Sequence, residues 1–449
     1  MRLAVFTPLA PIRSGIADYA GDLIGALGPR HDVDAFVASV EECLGTAASE
    51  RVRVLGAHDF PWRHARAPYD LIVYQMGNAW YHDYMWPYLF RYPGLVVLHD
   101  GHLHHARTWS LLGRQRTADY RAELAYNHPE FGPEAAEPAL HGFAGLIYYL
   151  WPMLRTVVSA ARAVAVHSAP FAEALRAEFP ETPVVSLAMG VPPVAPREAD
   201  VSAIRARHGL NPEAVVLAAF GGVTPEKRLG PLFRAAAVAR RYQPALRLLL
   251  VGPTYPHYDV LAEAGRAEVA DIVTVTGRVP ETELEAYLGA ADIVSCLRFP
   301  SGRETSASWV RALAAGRPTL VTDLAHQSDV PTLDPRTWTV VYARPTQSDV
   351  AAVAISIDLA DEDHSLTLAL KRLTTDAALR QRLGADARRH WQAHHTVAAM
   401  ADDYEQAMSA ALAHQGSHSG LPRHLRPDGL DHAAELLAQL GVALPDGMR

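Results

Sequence analysis

Two stretches of the sequence place charged and hydroxyl side chains where a buried strand pattern runs into a helix pattern. The first is "AFGGVTPEKRLGPLFRAAAVARR". Gly221 and Gly222 lack a Cβ, so backbone there can approach a ligand closely. Lys227 and Arg228 then fall at the mouth of the predicted helix, where the macrodipole disfavours cations. An anion bound at that helix start would account for them; two solvated charges flanking a proline-initiated helix is the competing account. The second stretch is "DIVSCLRFPSGRETSASWVRAL". It reads as a strand, a Pro-Ser-Gly turn and a helix with Glu304, Thr305, Ser306 and Ser308 in its first turn. Capping needs one such residue, not a run. Small side chains also leave first-turn amides open to phosphate or sugar hydroxyls, and an ionised Glu304 can accept from two vicinal hydroxyls. Two anion-ready helix starts in one half of the chain favour a ligand over capping alone.

The first half offers its own polar strand ends. "FTPLAPIRSGIADYAGDLIGAL" is a strand, a flexible loop at Ser14-Gly15 and a helix opening near Ile16, Ala17 and Asp18. "VVLHDGHLHHA" sets His99 and Asp100 at the end of a buried strand, with His102, His104 and His105 behind them. The histidine spacing matches no known ligand set and no second cluster supplies carboxylates, so no metal site is expected. His99 reads equally as a contact to a hydroxyl-bearing ligand and as a satisfied core histidine. "YQMGNAWYHDYMWPYLFRY" carries eight aromatics in nineteen residues. Most of these belong in a core, while Gly77, Asn78 and Trp80 follow a strand end and are placed to line a sugar pocket.

These residues need a scaffold, and the pattern around them supplies one. Short β-branched runs alternate with helix-like segments, the signal of parallel sheets with crossover helices. In the first half the expected strands are residues 2–7, 33–38, 70–75, 94–100, 163–168 and 183–188. A segment rich in proline and charge, residues 189–214, reads as a linker. The second half restarts with strands at 215–222, 246–252, 272–277, 292–297 and 318–323, and "WTVVYA" at 338–343 closes the series. The expectation is an α/β chain of two Rossmann-like, doubly wound domains facing across a cleft, with ligands at the carboxyl ends of the strands. The first domain is 1–195 and the second 196–390. Residues 391–449 are C-terminal helices, with a polar linker, "GSHSGLPRHLRPDG", before a last amphipathic piece, "LDHAAELLAQLGV".

Bulk properties narrow the function classes. The chain has 449 residues, 49% hydrophobic and 20% charged, with a net charge of -8. No basic field exists to hold nucleic acid. Cys43 and Cys296 are the only cysteines, too few for a disulfide framework, which points to a cytoplasmic protein. The N-terminal apolar run is too short for a signal peptide or a spanning helix. The most apolar stretch, "GFAGLIYYLWPMLRTVVSAARAVAVHS", is broken by Gly145, Pro152, Arg155 and Arg162. It reads as a buried helix and a strand, and peripheral contact with the inner membrane face stays open. The sequence holds no Walker A, no G-x-G-x-x-G after the first strand, no HExxH and no G-x-S-x-G. Kinase, dehydrogenase and hydrolase templates lose ground accordingly.

The twin α/β layout with "FGGVTPEKR" and "GRETSASWVRALAAGRPTLVTD" resembles the GT-B glycosyltransferases of family 4, which retain anomeric configuration and depend on nucleotide-sugars. The resemblance covers roughly residues 1 to 410 and is weaker, but in order, through "SGIADY", "YQMGN", "LHD" and "VHS". It implies that the second domain holds a nucleotide-diphospho-sugar, a co-substrate rather than a cofactor, and that the first holds the acceptor. His99, Lys227, Arg228 and Glu304 would then be catalytic. Gly221, Gly222, Gly252, Arg278, Thr305, Ser306 and Arg311 would bind the donor, and Ser14, Gly15, Asp18, Asn78 and Asp100 would face the acceptor. The implied transfer needs no metal. A lipid-linked sugar, a natural product and a protein side chain all fit as acceptor. Two positions depart from the family pattern. Its Gly-Arg-x-x-Pro-Glu-Lys loop has Gly222 at the arginine, with Arg228 offered as a substitute guanidinium. Its second helix glutamate is replaced by Arg311, which cannot accept from ribose hydroxyls and shares a helix face, and a pairing, with Glu304. A nucleotide-sugar epimerase, a phosphorylase on the same fold and a non-catalytic sugar-nucleotide binder remain alternatives.

Overall fold

A computed structural model describes residues 1–39, 52–131, 133–143, 145–341, 350–416, 420–426, 437 and 439–442. The chain forms two compact units. Unit 1 is Met1–Val166, Ala172–Val185 and Tyr404–Arg449, and unit 2 is His167–Phe171 and Ser186–Asp403. The main passage between units thus lies at 185/186, while the linker pattern in the sequence places it at 195/196. The helix Val397–Ala413 begins in unit 2 and continues in unit 1 from Tyr404.

Unit 1 is built on β1 (Arg2–Phe6), β2 (Asp32–Val37), β3 (Val52–Gly56), β4 (Leu71–Met76), β5 (Leu95–Leu98), β6 (Ala163–Val166) and β7 (Val184–Ser186). They lie in the order β3-β2-β1-β4-β5-β6-β7, the doubly wound arrangement in which β1 and β4 flank the switch point. Every residue of β4, β5 and β6 is buried, as unbroken apolar runs covered on both faces require. Phe6, Phe36 and Phe60 close one face, their ring centroids 5.1–5.2 Å apart. β3 was not expected. Its alternation, Val-Arg-Val-Leu-Gly, is that of an edge strand with one half-wet face.

Unit 2 repeats the plan. β8 (Val215–Phe220), β9 (Leu246–Val251), β10 (Val273–Gly277), β11 (Ile293–Cys296), β12 (Thr319–Thr322), β13 (Thr332–Leu333), β14 (Val340–Val341) and β15 (Ala354–Ile357) lie in the order β10-β9-β8-β11-β12-β15-β13-β14. The α/β fold with two Rossmann-like sheets therefore stands as expected. The closing strand of this sheet does not. "WTVVYA" contributes only the two-residue β14, whose Val340 and Val341 are 46% and 50% exposed and pair antiparallel with β13; residues 342–343 lie outside the described residues. The sixth parallel strand is β15, buried through Ala354, Ile355 and Ile357.

The apolar stretch 142–168 also differs from its reading as one buried helix and a strand. Leu146–Leu150 is a separate short helix, with Leu146 and Leu150 65% and 71% exposed. The buried part is the helix Arg155–Ala160 leading into β6. Pro152 lies in the break between the two helices, where a residue without an amide hydrogen ends helical pairing. Among the described residues no helix is long and apolar enough to cross a membrane. Cys43 and most of the last amphipathic piece, 430–442, lie outside the described residues.

Candidate functional site

The loops that follow β8, β9, β10, β11 and β12 meet at one edge of the unit 2 sheet. Three glycines make the close approach possible. Gly221, at φ +87°, turns the chain at the end of β8. A Cβ on Gly252 would stand 2.1 Å from the Gly221 carbonyl oxygen, so a side chain there is excluded by backbone, not by a movable neighbour. Gly277, at φ +68°, bridges back to Gly252. Gly222 lies under the Tyr255 ring, 2.9 Å from where its Cβ would be. Arg278 follows Gly277 and is exposed.

After the glycine turn, Pro225–Lys227 forms a single 3-10 turn and Arg228, in the left-handed region at φ +57°, heads the helix Leu229–Ala239. Lys227 folds back over the turn and donates to the Phe220 carbonyl, which sets its ammonium 3.5 Å from the Cβ position of Gly221. Burial lowers the Lys227 pKa to about 8; the Arg298 charge adds to this, and Cys296 and Glu304 oppose it. The cation therefore sits at the carboxyl edge of β8 in surroundings that do not fully neutralise it. Arg228 points elsewhere. Its guanidinium is taken by Glu362, with Nε donating at 2.8 Å, and packs 6.0 Å from the Phe299 ring centroid.

The loop after β11 joins this turn directly. The Phe299 amide donates to the Glu226 carbonyl at 2.8 Å, and the Arg298 amide donates to Thr322 Oγ1 on β12 at 2.8 Å. Arg298 Nε pairs with Glu304 at 2.9 Å, and Ser301 Oγ donates to the other oxygen of Glu304 at 3.2 Å. The helix begins later than its polar run suggests. It spans Ala307–Ala314 with Ser306 as N-cap, accepting from the Trp309 amide. Glu304 therefore precedes the helix instead of lying in its first turn. The chain needs the extra residues because Arg303 adopts φ +57° and Thr305 Oγ1 donates to the His167 carbonyl at 2.9 Å. The expected pairing of Arg311 with Glu304 is replaced accordingly. Arg311, on the helix, faces Glu281 at 3.2 Å, while Glu304 is held by Arg298.

Sequence reasoning missed two residues of this cluster. Arg298 is legible as a cation at the end of a buried strand, next to the longer polar run that carries the stronger signal. His326, on the loop after β12, is 7% exposed, and its Nε2 has no hydrogen-bond partner among the described residues. Burial holds its pKa below the usual imidazole range, opposed by the charge and backbone of Glu304. A buried imidazole nitrogen left open beside a carboxylate is ready for a ligand hydroxyl.

In unit 1, His99 is 7% exposed. Its Nε2 pairs with Gln75 Oε1 at 2.8 Å, its ring stands edge-on to Tyr19 at 4.7 Å, and Gln75 Nε2 donates to Tyr404 at 3.0 Å. Gln75 thus helps to orient the imidazole. Asp100 accepts from the Asn78 amide at 2.7 Å, and Asn78 Oδ1 accepts from the Ala106 amide at 2.9 Å. Asn78 and Asp100 therefore clamp the helix His104–Leu111 to the end of β4. Ser14 is the N-cap of the helix Gly15–Leu27, accepting from Ala17, and Asp18 lies exposed in its first turn. Among the described residues no group of three or more metal-ligating side chains is positioned to share an ion.

Two Rossmann-like units, the second carrying a glycine turn and a lysine at its strand ends, define the GT-B fold. Residues 214–356, in unit 2, match the family described as Glycosyl transferases group 1. The D-inositol 3-phosphate glycosyltransferase of Streptomyces avermitilis is 32% identical over 235 residues, covering 49% of this chain and 46% of that protein. Its counterpart from Segniliparus rotundus is 35% identical over 127 residues, 27% of this chain and 28% of that one. The chain thus spans less than half the length of these curated relatives. Among solved structures, HepE from Anabaena in complex with UDP and glucose superposes with a TM-score of 0.59 at 15% identity, covering 91% of this chain and 100% of that one. Sucrose-phosphate synthase from Thermosynechococcus elongatus gives 0.60 at 17% identity, over 92% and 100%. At that identity the likeness is one of fold.

Proposed function

We propose that the protein is a glycosyltransferase that moves a sugar from a nucleotide-diphospho-sugar to an acceptor, with retention of anomeric configuration and without a metal. The observation that carries the reading is the convergence of the Gly221–Gly222 turn, Lys227, Arg298 and Glu304 at one edge of the unit 2 sheet. In such a transfer the difficult event is departure of a diphosphate as its negative charge grows. Lys227, held over the glycine turn, is the cation that meets that charge. The first-turn amides beyond Ser306 and the hydroxyl of Ser308 add donors at a helix mouth where an anion is favoured. Removing one preorganised donor of this kind costs about 3–4 kcal/mol of barrier. Glu304, fixed by Arg298 and Ser301, accepts from sugar hydroxyls, and His326 presents its open nitrogen beside it. The leaving phosphate oxygen takes the acceptor proton, so no dedicated carboxylate base is required.

The departures at Gly222 and Arg311 bear on the nucleotide end. Arg228 is held by Glu362, so in this reading the diphosphate is met by Lys227 with Arg298, and Arg228 acts by fixing the turn. HepE was solved with UDP and glucose, which makes UDP-glucose the first donor to try. We assign the acceptor to unit 1, with His99 as its contact to the transferred sugar, and place the work in the cytoplasm. The exposed Phe143, Leu146 and Leu150 support contact with a membrane face, should the acceptor be lipid-linked. Nucleotide diphosphate release from UDP-, GDP-, ADP- and TDP-sugars, with the anomeric configuration of any product read by NMR, tests the proposal. Release with an α-linked product from an α-donor supports it. A product of inverted configuration, or isomerised donor without release, overturns it.

A further inference from the structure

Gly222 has no backbone reason to be a glycine. Gly221 stands at φ +87°, where a side chain is strained, but Gly222 lies outside the left-handed region. What keeps a side chain from Gly222 is the phenol of Tyr255. A Cβ there would meet its Cε2 at 2.9 Å, its hydroxyl oxygen at 3.0 Å and its Cζ at 3.4 Å. Gly222 is also the position at which the Gly-Arg-x-x-Pro-Glu-Lys pattern carries its arginine. Arg228, the substitute suggested by the sequence, is held by Glu362 and does not refill that place. Tyr255 does.

The backbone fixes the ring over the turn. The Val223 amide donates to the Pro253 carbonyl at 2.8 Å, and Val223 bridges Thr254 in parallel register. The chain leaving β9 is therefore stitched to the chain leaving β8 up to the residue before Tyr255. Beyond it, the Tyr258 amide donates to the Tyr255 carbonyl at 3.1 Å and turns the loop back. His257 lies against the phenol, with ring centroids 5.8 Å apart and planes inclined by 28°. Tyr255 is 41% exposed, too wet for a core residue, and no described residue bonds its hydroxyl. A phenol that rests on a glycine turn and leaves its O–H unspent is placed for a ligand. The neighbouring residue of the turn carries the second polar head: the Lys227 ammonium stands 3.5 Å from the Cβ position of Gly221. One charged and one neutral donor thus stand over consecutive glycines.

We propose that Tyr255 is a donor-binding residue particular to this chain: its phenol stands in the arginine's place, and its O–H donates to a diphosphate oxygen. The assignment deepens the glycosyltransferase reading and rests on it. A guanidinium would bring a cation and a planar fork to the same oxygen; the phenol brings one directional bond and no charge. Calorimetric titration of the full chain with UDP, GDP, ADP and TDP, and then of variants with whichever binds best, tests it. Tyr255→Phe keeps the ring and its packing. It is expected to weaken binding about tenfold or more, the size of one hydrogen bond to a charged group, and to leave the thermal midpoint of the unliganded protein unchanged. Gly222→Arg alone puts two side chains in one place and is expected to lower both affinity and midpoint. Gly222→Arg combined with Tyr255→Gly vacates that place. The double variant is expected to bind at least as tightly as the wild type, with a steeper loss of affinity as salt rises, while Tyr255→Gly alone stays weak. The double variant decides the matter should Tyr255→Phe lower the midpoint. Tyr255→Phe binding as tightly as the wild type, or a double variant no better than Tyr255→Gly, overturns the proposal and leaves the donor reading intact. A wild type that binds none of the four diphosphates removes the donor reading and this assignment with it.

Discussion

The Phe299 amide donates to the Glu226 carbonyl at 2.8 Å, so the loop after β11 and the turn after β8 are one structural piece. Lys227 follows Glu226 in sequence and Arg298 precedes Phe299. A single backbone hydrogen bond therefore places two cations at one sheet edge, with Glu304 held to the second of them at 2.9 Å.

The consequence for Lys227 is the sharpest. Lys227→Ala should reduce kcat/KM for the donor by about 10²–10³-fold, the size expected for loss of one preorganised donor at a developing anion. Lys227→Arg should recover only part of this, because the longer, planar group cannot bond the Phe220 carbonyl from the same place. Steady-state kinetics with the best donor measure both.

A pH profile follows from the same residue. With the Lys227 pKa lowered to about 8, the free protein keeps the ammonium below that pH and loses it above. The profile of kcat/KM, which reports the free enzyme, should therefore fall on an alkaline limb near pH 8. The sign of the stability effect is opposite in sense to an ion pair. The folded chain bears the cost of a poorly solvated ammonium below about 8, and that cost fades as pH rises toward the unfolded value. A bound diphosphate restores the charge, so the limb should move to higher pH in kcat. In Lys227→Arg the limb near 8 should be absent.

Gly252→Ala probes the backbone packing that closes the site. The added Cβ would stand 2.1 Å from the Gly221 carbonyl oxygen, so the β8 and β9 ends must separate. A loss of about 1–3 kcal/mol, as for overpacked interiors, is expected in denaturant unfolding. Donor affinity should fall with it.

Tyr404→Phe tests the network behind His99. Tyr404 OH accepts from Tyr19 at 2.9 Å and from Gln75 at 3.0 Å, all within a buried site, so its removal takes away the acceptor these two donors share. A cost of about 1–3 kcal/mol is expected. If His99 contacts the transferred sugar, kcat should fall more than KM changes, because Gln75 then no longer fixes the imidazole.

Much of this was legible in the sequence for a physical reason. Strands buried on both faces, such as Val215–Phe220 and Leu71–Met76, have no choice but to be continuous apolar runs, and turns that need backbone contact need glycine, as at 221 and 252. What failed to show has equally particular causes. The edge strand Val52–Gly56 is half wet and alternates arginine with valine, so it lacks the buried signature. Val340–Val341 has the composition of a core strand and is exposed, since β-branched residues indicate extended backbone and not depth. Glu304 fell outside its helix because Ser306, not the acidic residue, caps it. Arg298 and His326 depend on which loops the topology brings together, and Arg228 on a partner 134 residues away; no local pattern carries either. The docking of residues 421–426 rests on the buried Leu421 and Leu425, two residues in a segment otherwise polar enough to read as linker.

The central claim is that the glycine turn, Lys227, Arg298 and Glu304 form one diphosphate site. Thermal unfolding of the wild type and Lys227→Ala with a series of nucleotide-diphospho-sugars tests it most directly. A donor at 100-fold its Kd should stabilise the wild type by about 2.7 kcal/mol and leave Lys227→Ala nearly unmoved. A series in which no donor raises the midpoint of the wild type, or one in which Lys227→Ala keeps the full shift, would contradict it.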